Sequence, residues 1–289
     1  MTSITKKNIL ILGGAGFIGS HLCDSLRKEN KIVSIDNYLS GKEENHFSGV
    51  KYIKGFSGNI SELAKNFSPD LIFHFGEYSR VETSFEDYDL LFKNNVLPFK
   101  EVLNFAKKNN SKLIYAGSST KFASYDKHNI LSPYAWFKAL NTEHLINYSN
   151  WFGLQFAIVY FYNVYGGNEI DEGKYSTVIG KFKKLYSEGK RELPLVEPGT
   201  QKRNFTHYRD VIEALKLIAL DGNGDGYGIG SSHSHSMKEV VSFFGCEPVY
   251  LPKRRGNRND SKLIISRTKK LGWKPKTNLK NHIKEFIDH

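Results

Sequence analysis

The stretch ILILGGAGFIGSHL, residues 9–22, constrains this chain more than any other. A short apolar run ends in glycines, and a helix-patterned segment follows at once. Glycine has no Cβ, so it permits a tight turn and a close approach of backbone to ligand. The start of the following helix offers unpaired N–H groups and the positive end of its dipole. Strand, glycine turn and helix in that order make a cradle for a pyrophosphate. The glycines read as Gly14-x-Gly16-x-x-Gly19 or as Gly13-x-x-Gly16-x-x-Gly19, with the same physical demand. Asp36 ends the next apolar segment, 20 residues after Gly16. A carboxylate there accepts hydrogen bonds from adenosine ribose hydroxyls and repels a 2′-phosphate. The expected ligand is a dinucleotide, and NAD rather than NADP.

The rest of the first half keeps the same rhythm. Apolar runs at 8–12, 31–36, 50–55, 70–75, 111–117 and 154–161 predict strands. Helical patterns fall at 17–28, 61–67, 85–109 and 133–151, with Pro98 expected to kink the third. Strands without polar alternation, separated by helices, predict a parallel sheet covered on both faces. The fold class is α/β, a Rossmann-type doubly wound parallel sheet. Beyond about residue 165, glycine, proline and charged residues increase, with helices expected near 174–188, 208–220, 236–244 and 279–288. The reading is an NAD-binding domain over 1–165 and a smaller mixed substrate-binding lobe over 166–289, part of which returns to the first domain.

Composition narrows the partners. A chain of 289 residues with 39% hydrophobic content can build one large or two modest cores. No run of 18 apolar residues occurs, and the N-terminus lacks a signal peptide's long apolar region, so no membrane partner is expected. Two cysteines far apart in sequence argue against a disulfide framework and fit a reducing cytoplasm. The net charge of +11 is spread along the chain, and its densest group, KRRGNR at 253–258, has no nucleic-acid-binding motif beside it. A polyanionic small molecule accounts for part of that charge. No metal site is read.

A second constellation lies in GSSTKFASYDKHNILSPYAWFKA, residues 117–139. Ser132-Pro133 marks a helix start, with serine as N-cap and proline as first helical residue. Tyr134 then lies in the first turn, and Lys138 shares its helix face. A nearby ammonium and the helix dipole both favour the phenolate. The pair is therefore a candidate acid–base site.

GGAGFIG, Asp36-Asn37, the Tyr134/Lys138 pair, YFYNVYGG (160–167), GTQKRNFTH (199–207), YGIGSSHSHSMKEVV (227–241) and LGWKPKTNLKNHIKEF (271–286) follow one another in order. Over nearly the whole chain they resemble the extended short-chain dehydrogenase/reductases, in particular the NAD-dependent nucleotide-sugar epimerase/dehydratase group. The resemblance implies that Gly13, Gly16, Phe17, Ile18, Gly19, Asp36, Asn37, Ser40, Gly41, Asn59, Ile60, Phe75, Gly76 and Asn95 meet NAD. Asn59 stands where relatives usually carry an adenine-contacting aspartate. Lys138 would also bridge the nicotinamide ribose hydroxyls. Ser118, with Ser119 as fallback, would bond the reacting sugar hydroxyl beside Tyr134. Asn163, Arg203 and Arg254 would hold the substrate diphosphate, arginine offering two parallel bonds to phosphate. Glu77 stands where relatives have a small residue; it either meets the sugar or pairs with Arg80.

The same resemblance sorts the reactions. Dehydratases carry an acid–base pair directly after the catalytic serine or threonine; here Ser119 and Thr120 stand there, which argues against dehydration. An epimerase working through a transient 4-keto sugar is the first expectation, and a 4-dehydrogenase releasing the ketone the alternative. A non-catalytic NAD-binding module predicts loss of Ser118, Tyr134 or Lys138, and all three are present. Only 15 residues separate Ser118 from Tyr134, which implies a more open sugar pocket than in relatives. A homodimer is expected, built on the 85–109 and 133–151 helices with Leu91, Phe92, Trp136, Leu140 and Tyr148.

Overall fold

The computed structural model describes residues 3–119, 132–252 and 262–289. The first part runs β1 (Asn8–Leu12), α1 (Phe17–Leu26), β2 (Lys31–Asp36), β3 (Val50–Lys54), α2 (Ile60–Leu63), β4 (Leu71–His74), α3 (Tyr88–Leu91), α4 (Phe99–Lys108), β5 (Lys112–Ala116), α5 (Pro133–Phe152) and β6 (Phe156–Phe161). The second part adds β7 (Val164–Tyr165), α6 (Val178–Ser187), β8 (Glu192–Val196), β9 (Lys202–Asn204), β10 (Thr206–His207), α7 (Tyr208–Asp221), β11 (Gly224–Ile229), β12 (Ser234–Ser236), α8 (Met237–Phe243), β13 (Glu247–Leu251), α9 (Ser266–Lys270) and α10 (Leu279–Asp288).

Seven strands form one sheet in the order β11-β6-β5-β4-β1-β2-β3, and every pair is parallel. Side chains alternate across a strand, so a strand apolar at every position must be covered on both faces. In β1, Ile9 and Ile11 join one core while Leu10 and Leu12 join the other. Leu22 and Leu26 of α1 and Leu215 and Ile218 of α7 fill the first; Val102 and Leu103 of α4 and Leu145 of α5 fill the second. The doubly wound sheet is the one the sequence predicts. From β1 the order proceeds one way to β2 and β3 and the other way to β4, β5 and β6. Ligands of such sheets bind where that direction reverses, at the carboxyl ends of the strands.

Two helices differ from expectation. The 61–67 segment gives only the four residues of α2. The 85–109 segment is broken into α3, a π turn over Phe92–Val96 and α4. Proline is part of the reason, because Pro98 has no N–H for the preceding turn and instead caps α4. By contrast α5 starts and stops where its sequence says: the Ser132 side chain accepts from the Ala135 amide at 3.2 Å, and Gly153 closes it with φ +69°.

The second part builds three two-stranded sheets, β7/β10, β9/β12 and β8/β13. Phe182, Leu193, Val240, Phe244 and Ile283 pack as a separate core. Strand β11 then adds an edge to the large sheet beside β6. The LGWKPK segment is tied to α7: the Trp273 indole donates to the Asp210 carbonyl at 2.8 Å, and the Lys276 and Thr277 amides donate to the Asp210 carboxylate. Cys23 and Cys246 are both free and buried. Among the described residues no helix is long and apolar enough to cross a membrane.

Wholly or partly buried histidines give the fold a pH dependence. His21, His207 and His282 each accept a hydrogen bond, from the Asn168 amide at 3.1 Å, the Arg209 amide at 3.3 Å and the Lys183 ammonium at 2.7 Å. Each needs a ring lone pair, hence a neutral imidazole. Burial, the leading cause, pushes them down to about 4, about 3 and about 4. The unfolded chain therefore binds more protons between about pH 6.5 and 4, and stability falls as pH falls through that window. Denaturant midpoints should be level above pH 7 and decline steadily below pH 6.5. Replacing His282 by Gln should reduce the slope of that decline.

Candidate active site

The glycine turn shows which reading of the sequence carries the geometry. Gly13 has φ +88°, and a Cβ there would stand 2.6 Å from the Gly76 amide nitrogen. A Cβ at Gly19 would overlap the Gly13 carbonyl oxygen. Gly14 has an ordinary φ, and its Cβ would strike the Ser34 hydroxyl. Gly13, Gly16 and Gly19 thus form the turn, while Gly14 is small to clear β2. Gly16 is the N-cap of α1 and has no side chain to close the helix end.

Two clefts that share Ser40 and Gly41 open beside this turn. The inner one is lined by Gly13, Gly16, Asp36, Asn37, Ser40, Gly41, Phe75 and Gly76, and by Tyr175 from the second part. The outer one, about 610 Å³, is lined by Phe17, Tyr38, Lys54 and Asn168. Asp36 takes the Ala15 amide at 2.9 Å on one oxygen and the Tyr38 amide at 2.8 Å on the other. Burial pushes its carboxyl up, and those two bonds offset this only in part. Asp36 lines the inner cleft, where a ribose contact needs it. Tyr175 packs edge-on against Tyr78, rings 5.8 Å apart, and narrows the inner cleft.

Not every residue expected to meet NAD has its side chain free in a cleft. Asn59 is exposed and lines neither cleft; Ile60 is fully buried in the second core, and Ile18 packs against the first. Asn37 spends its amide on the Asn94 side chain at 2.8 Å. Asn95 is closed on the Tyr78 backbone in both directions, at 2.8 and 3.0 Å, so it shapes the loop rather than reaching into the cleft.

Glu77 lines the inner cleft, and among the described residues it pairs with Lys138 rather than with Arg80. Its side chain is 2% exposed and forms an ion pair with Lys138, itself 5% exposed. Asn141 donates to the same carboxylate at 3.1 Å, and the Tyr115 hydroxyl lies 3.1 and 3.3 Å from its two oxygens. Burial, with the Glu77 charge second, holds Tyr115 well above the ordinary tyrosine range, so Tyr115 is the donor. Lys138 also donates to the Ala116 carbonyl at 2.6 Å. Two of its three N–H groups are thus committed among the described residues. That bond brings α5 to the end of β5, just where Ser118 lies buried and Ser119 half-buried. Tyr134 is half-buried, and its hydroxyl makes no hydrogen bond among the described residues. Asn141 was missed from sequence although it continues the Tyr134/Lys138 face at the next helical step.

On the other side, Asn163 has φ +37° and donates to the Asn204 carbonyl at 3.0 Å. This sets it against the segment carrying half-buried Arg203. Arg254 and the 120–131 interval lie outside the described residues. Among the described residues no cluster of side chains suits a metal.

A glycine turn at the reversal point of a doubly wound sheet is the arrangement of a dinucleotide-dependent enzyme. The chain belongs to the NAD-dependent epimerase/dehydratase family, whose profile matches residues 9–230. It is 27% identical to a putative UDP-glucose 4-epimerase of Methanocaldococcus jannaschii, over 97% of each protein. It is 33% identical to a UDP-N-acetyl-alpha-D-glucosaminuronate decarboxylase of Bacillus cytotoxicus, over 82% of this chain and 78% of that one. Among solved structures, the UDP-glucose 4-epimerase of Thermotoga maritima with UDP-glucose superposes with a TM-score of 0.87 and 26% identity, over 97% of both chains. The UDP-glucose 4-epimerase of Thermus thermophilus in complex with NAD gives the same TM-score and identity over 98% of both. NAD is the cofactor, and the residues present fit it: a glycine turn in which a Cβ at Gly13 or Gly19 would clash, and the Asp36 carboxylate in the cleft lining.

Gly16 and Gly19 separate folding from binding. Gly19→Ala overpacks the turn and should cost about 1–3 kcal/mol of stability. A Cβ at Gly16 would come no closer than 3.3 Å to the Gly13 oxygen. Gly16→Ala should therefore melt near the parent temperature yet bind NAD at least about tenfold more weakly, read by calorimetric titration alongside thermal melts.

Proposed function

We propose that the protein is an NAD-dependent epimerase of UDP-sugars that works through a transient 4-keto sugar. The observation that supports this most is the Tyr134 hydroxyl, unpartnered among the described residues, on the α5 face that Lys138 fastens to the end of β5, beside Ser118. Ser118 would bond the C4 hydroxyl and orient it toward Tyr134. Tyr134 as phenolate would take its proton, and bound NAD supplies the acceptor for the hydride leaving C4. A flat ketone can turn over in the pocket, and reduction from its other face inverts C4; Tyr134 then returns the proton. Asn163 and Arg203 would hold the diphosphate end, with Arg254 as a further phosphate partner.

The 33% identity to a uronate decarboxylase supports a second outcome. A 4-keto uronate is a β-keto acid, which loses CO₂ readily, so the same first step on an acidic sugar leads elsewhere. Incubating the NAD-loaded protein with UDP-glucose, UDP-N-acetylglucosamine and UDP-glucuronic acid, followed by mass and NMR analysis, distinguishes these. Unchanged mass with inverted C4 is the expected result. Loss of CO₂ selects the decarboxylase, and accumulation of ketone with NADH selects the dehydrogenase. Tyr134→Phe should lower turnover at least about 10²-fold with NAD still bound; near-parental turnover would remove Tyr134 as the base.

We further propose a homodimer. Phe92, Trp136 and Leu140 expose 37%, 45% and 39% of their surfaces on neighbouring helical segments, whereas Leu91 is wholly buried and belongs to the core. Trp136→Glu with Leu140→Glu should convert the species seen by light scattering from dimer to monomer.

A further inference from the structure

The segment from Gly166 to Thr177 belongs to the second part of the chain, yet it runs along both clefts beside the glycine turn. Asn168, Glu169 and Ile170 line the outer cleft. Tyr175 lines the inner one, together with Gly13, Gly16, Asp36 and Gly76. The course of the segment needs glycine. Gly166, Gly167 and Gly173 have φ of +91°, +67° and +69°, in the left-handed region that a residue with a Cβ rarely adopts. A Cβ on Gly167 would also overlap the His21 ring of α1.

Both ends of the segment are tied to the walls of the clefts. On the α1 side, the Asn168 main-chain amide donates to His21 at 3.1 Å, and the Asn168 side chain donates to the Ser20 hydroxyl at 3.3 Å. On the other side, the Arg80 guanidinium donates to the Tyr175 carbonyl, and Lys174 pairs with Asp87 at 2.7 Å. The Asp87 oxygen that takes Lys174 also accepts the Tyr78 hydroxyl at 2.9 Å, and the Tyr78 ring meets Tyr175 edge-on. The segment is thus a strap from one wall to the other. Tyr175 is held at its ring, at its carbonyl and through the residue before it.

One polar atom of this residue is left over. The Tyr175 hydroxyl is buried and has no hydrogen-bond partner. A buried donor without a partner lowers stability, so its retention calls for a functional reason. A dinucleotide in this fold lays its pyrophosphate on the glycine turn and the start of the helix behind it. Gly13 and Gly16 share the lining of the inner cleft with Tyr175. A phenol donating to an anionic phosphate oxygen makes one of the stronger hydrogen bonds.

We propose that Tyr175 is a cofactor-binding residue whose hydroxyl donates to the NAD pyrophosphate, held in place by the Gly166–Thr177 strap. The second part of the chain then supplies one wall of the cofactor site. Nothing in this assignment depends on which reaction the sugar undergoes.

NAD binding alone tests it, without any sugar. Tyr175→Phe keeps the ring against Tyr78 and removes only the hydroxyl. Calorimetric titration of the nucleotide-free protein should give a Kd for NAD about tenfold higher than the parent's. The free variant should melt at or above the parent temperature, because an unmet buried hydroxyl has gone. Lys174→Met cuts the strap's anchor at the surface, where an ion pair adds little to stability. It should melt near the parent temperature and raise the Kd for NAD about threefold. A parental Kd in Tyr175→Phe overturns the contact. Weaker binding accompanied by a lower melting temperature of the free Tyr175→Phe protein also overturns it, since the hydroxyl is then structural. A parental Kd in Lys174→Met overturns the strap as what holds Tyr175 on the cofactor.

Discussion

The close approach of Gly13 to Gly76 organises everything that follows. These residues end β1 and β4, the two strands where the sheet changes direction, and a side chain on either would force them apart. Because they touch, the chain leaving β4 must run directly across the start of α1. That places Glu77 and Tyr78 beside the cofactor turn within four residues of a core strand. Gly19 completes the constraint by letting α1 press on the Gly13 carbonyl. The nucleotide cradle and the proposed acid–base residues are therefore two sides of one backbone crossing.

Desolvation dominates what happens next. Around Glu77, polar groups collect where helices and strands would otherwise pack apolar surface: His74, Tyr115, Lys138 and Asn141 all lie within reach. A buried ion pair recovers its desolvation cost only when its remaining lone pairs and protons find partners. Here the partners come from β4, β5 and α5. Such a network adds less to net stability than apolar residues of equal volume would, so its value lies in specifying one geometry. It fixes the lysine to a strand end and fixes α5, with Tyr134, to the same point.

The sheet was readable because central strands such as β1 and β6 carry apolar residues on both faces, which a doubly covered sheet requires. Helix α5 was readable because Ser132, Pro133 and Gly153 act locally. Strand β11 was harder: Gly224, Gly226 and Gly228 argue against a strand. It forms because Tyr227 and Ile229 reach the first core, while Gly228 lets the Ile264 carbonyl approach. Glu77 was misread for the opposite reason. Arg80 is three residues away in sequence, but Lys138 is 61 away and meets it across the crossing. Nearness in sequence is a guide inside a helix and misleads at a strand end, where the loop carries neighbouring side chains to different sides.

The π turn at Phe92–Val96 shows how an irregularity is held in use. Pro98 removes one backbone donor, and the widened turn presents Asn95 with its carbonyl available to Asn141 at 2.8 Å. The side chain of Asn95 meanwhile clamps Tyr78, and Tyr78 carries Tyr175 over the inner cleft. One residue thus supports the Lys138 network from behind and sets the roof of the cofactor cleft in front. An ordinary helix through 85–109 would offer neither contact, since its carbonyls would be taken by its own amides. The kink expected from Pro98 alone is the lesser part of this feature; the greater part is that a broken helix gives a buried asparagine two independent uses.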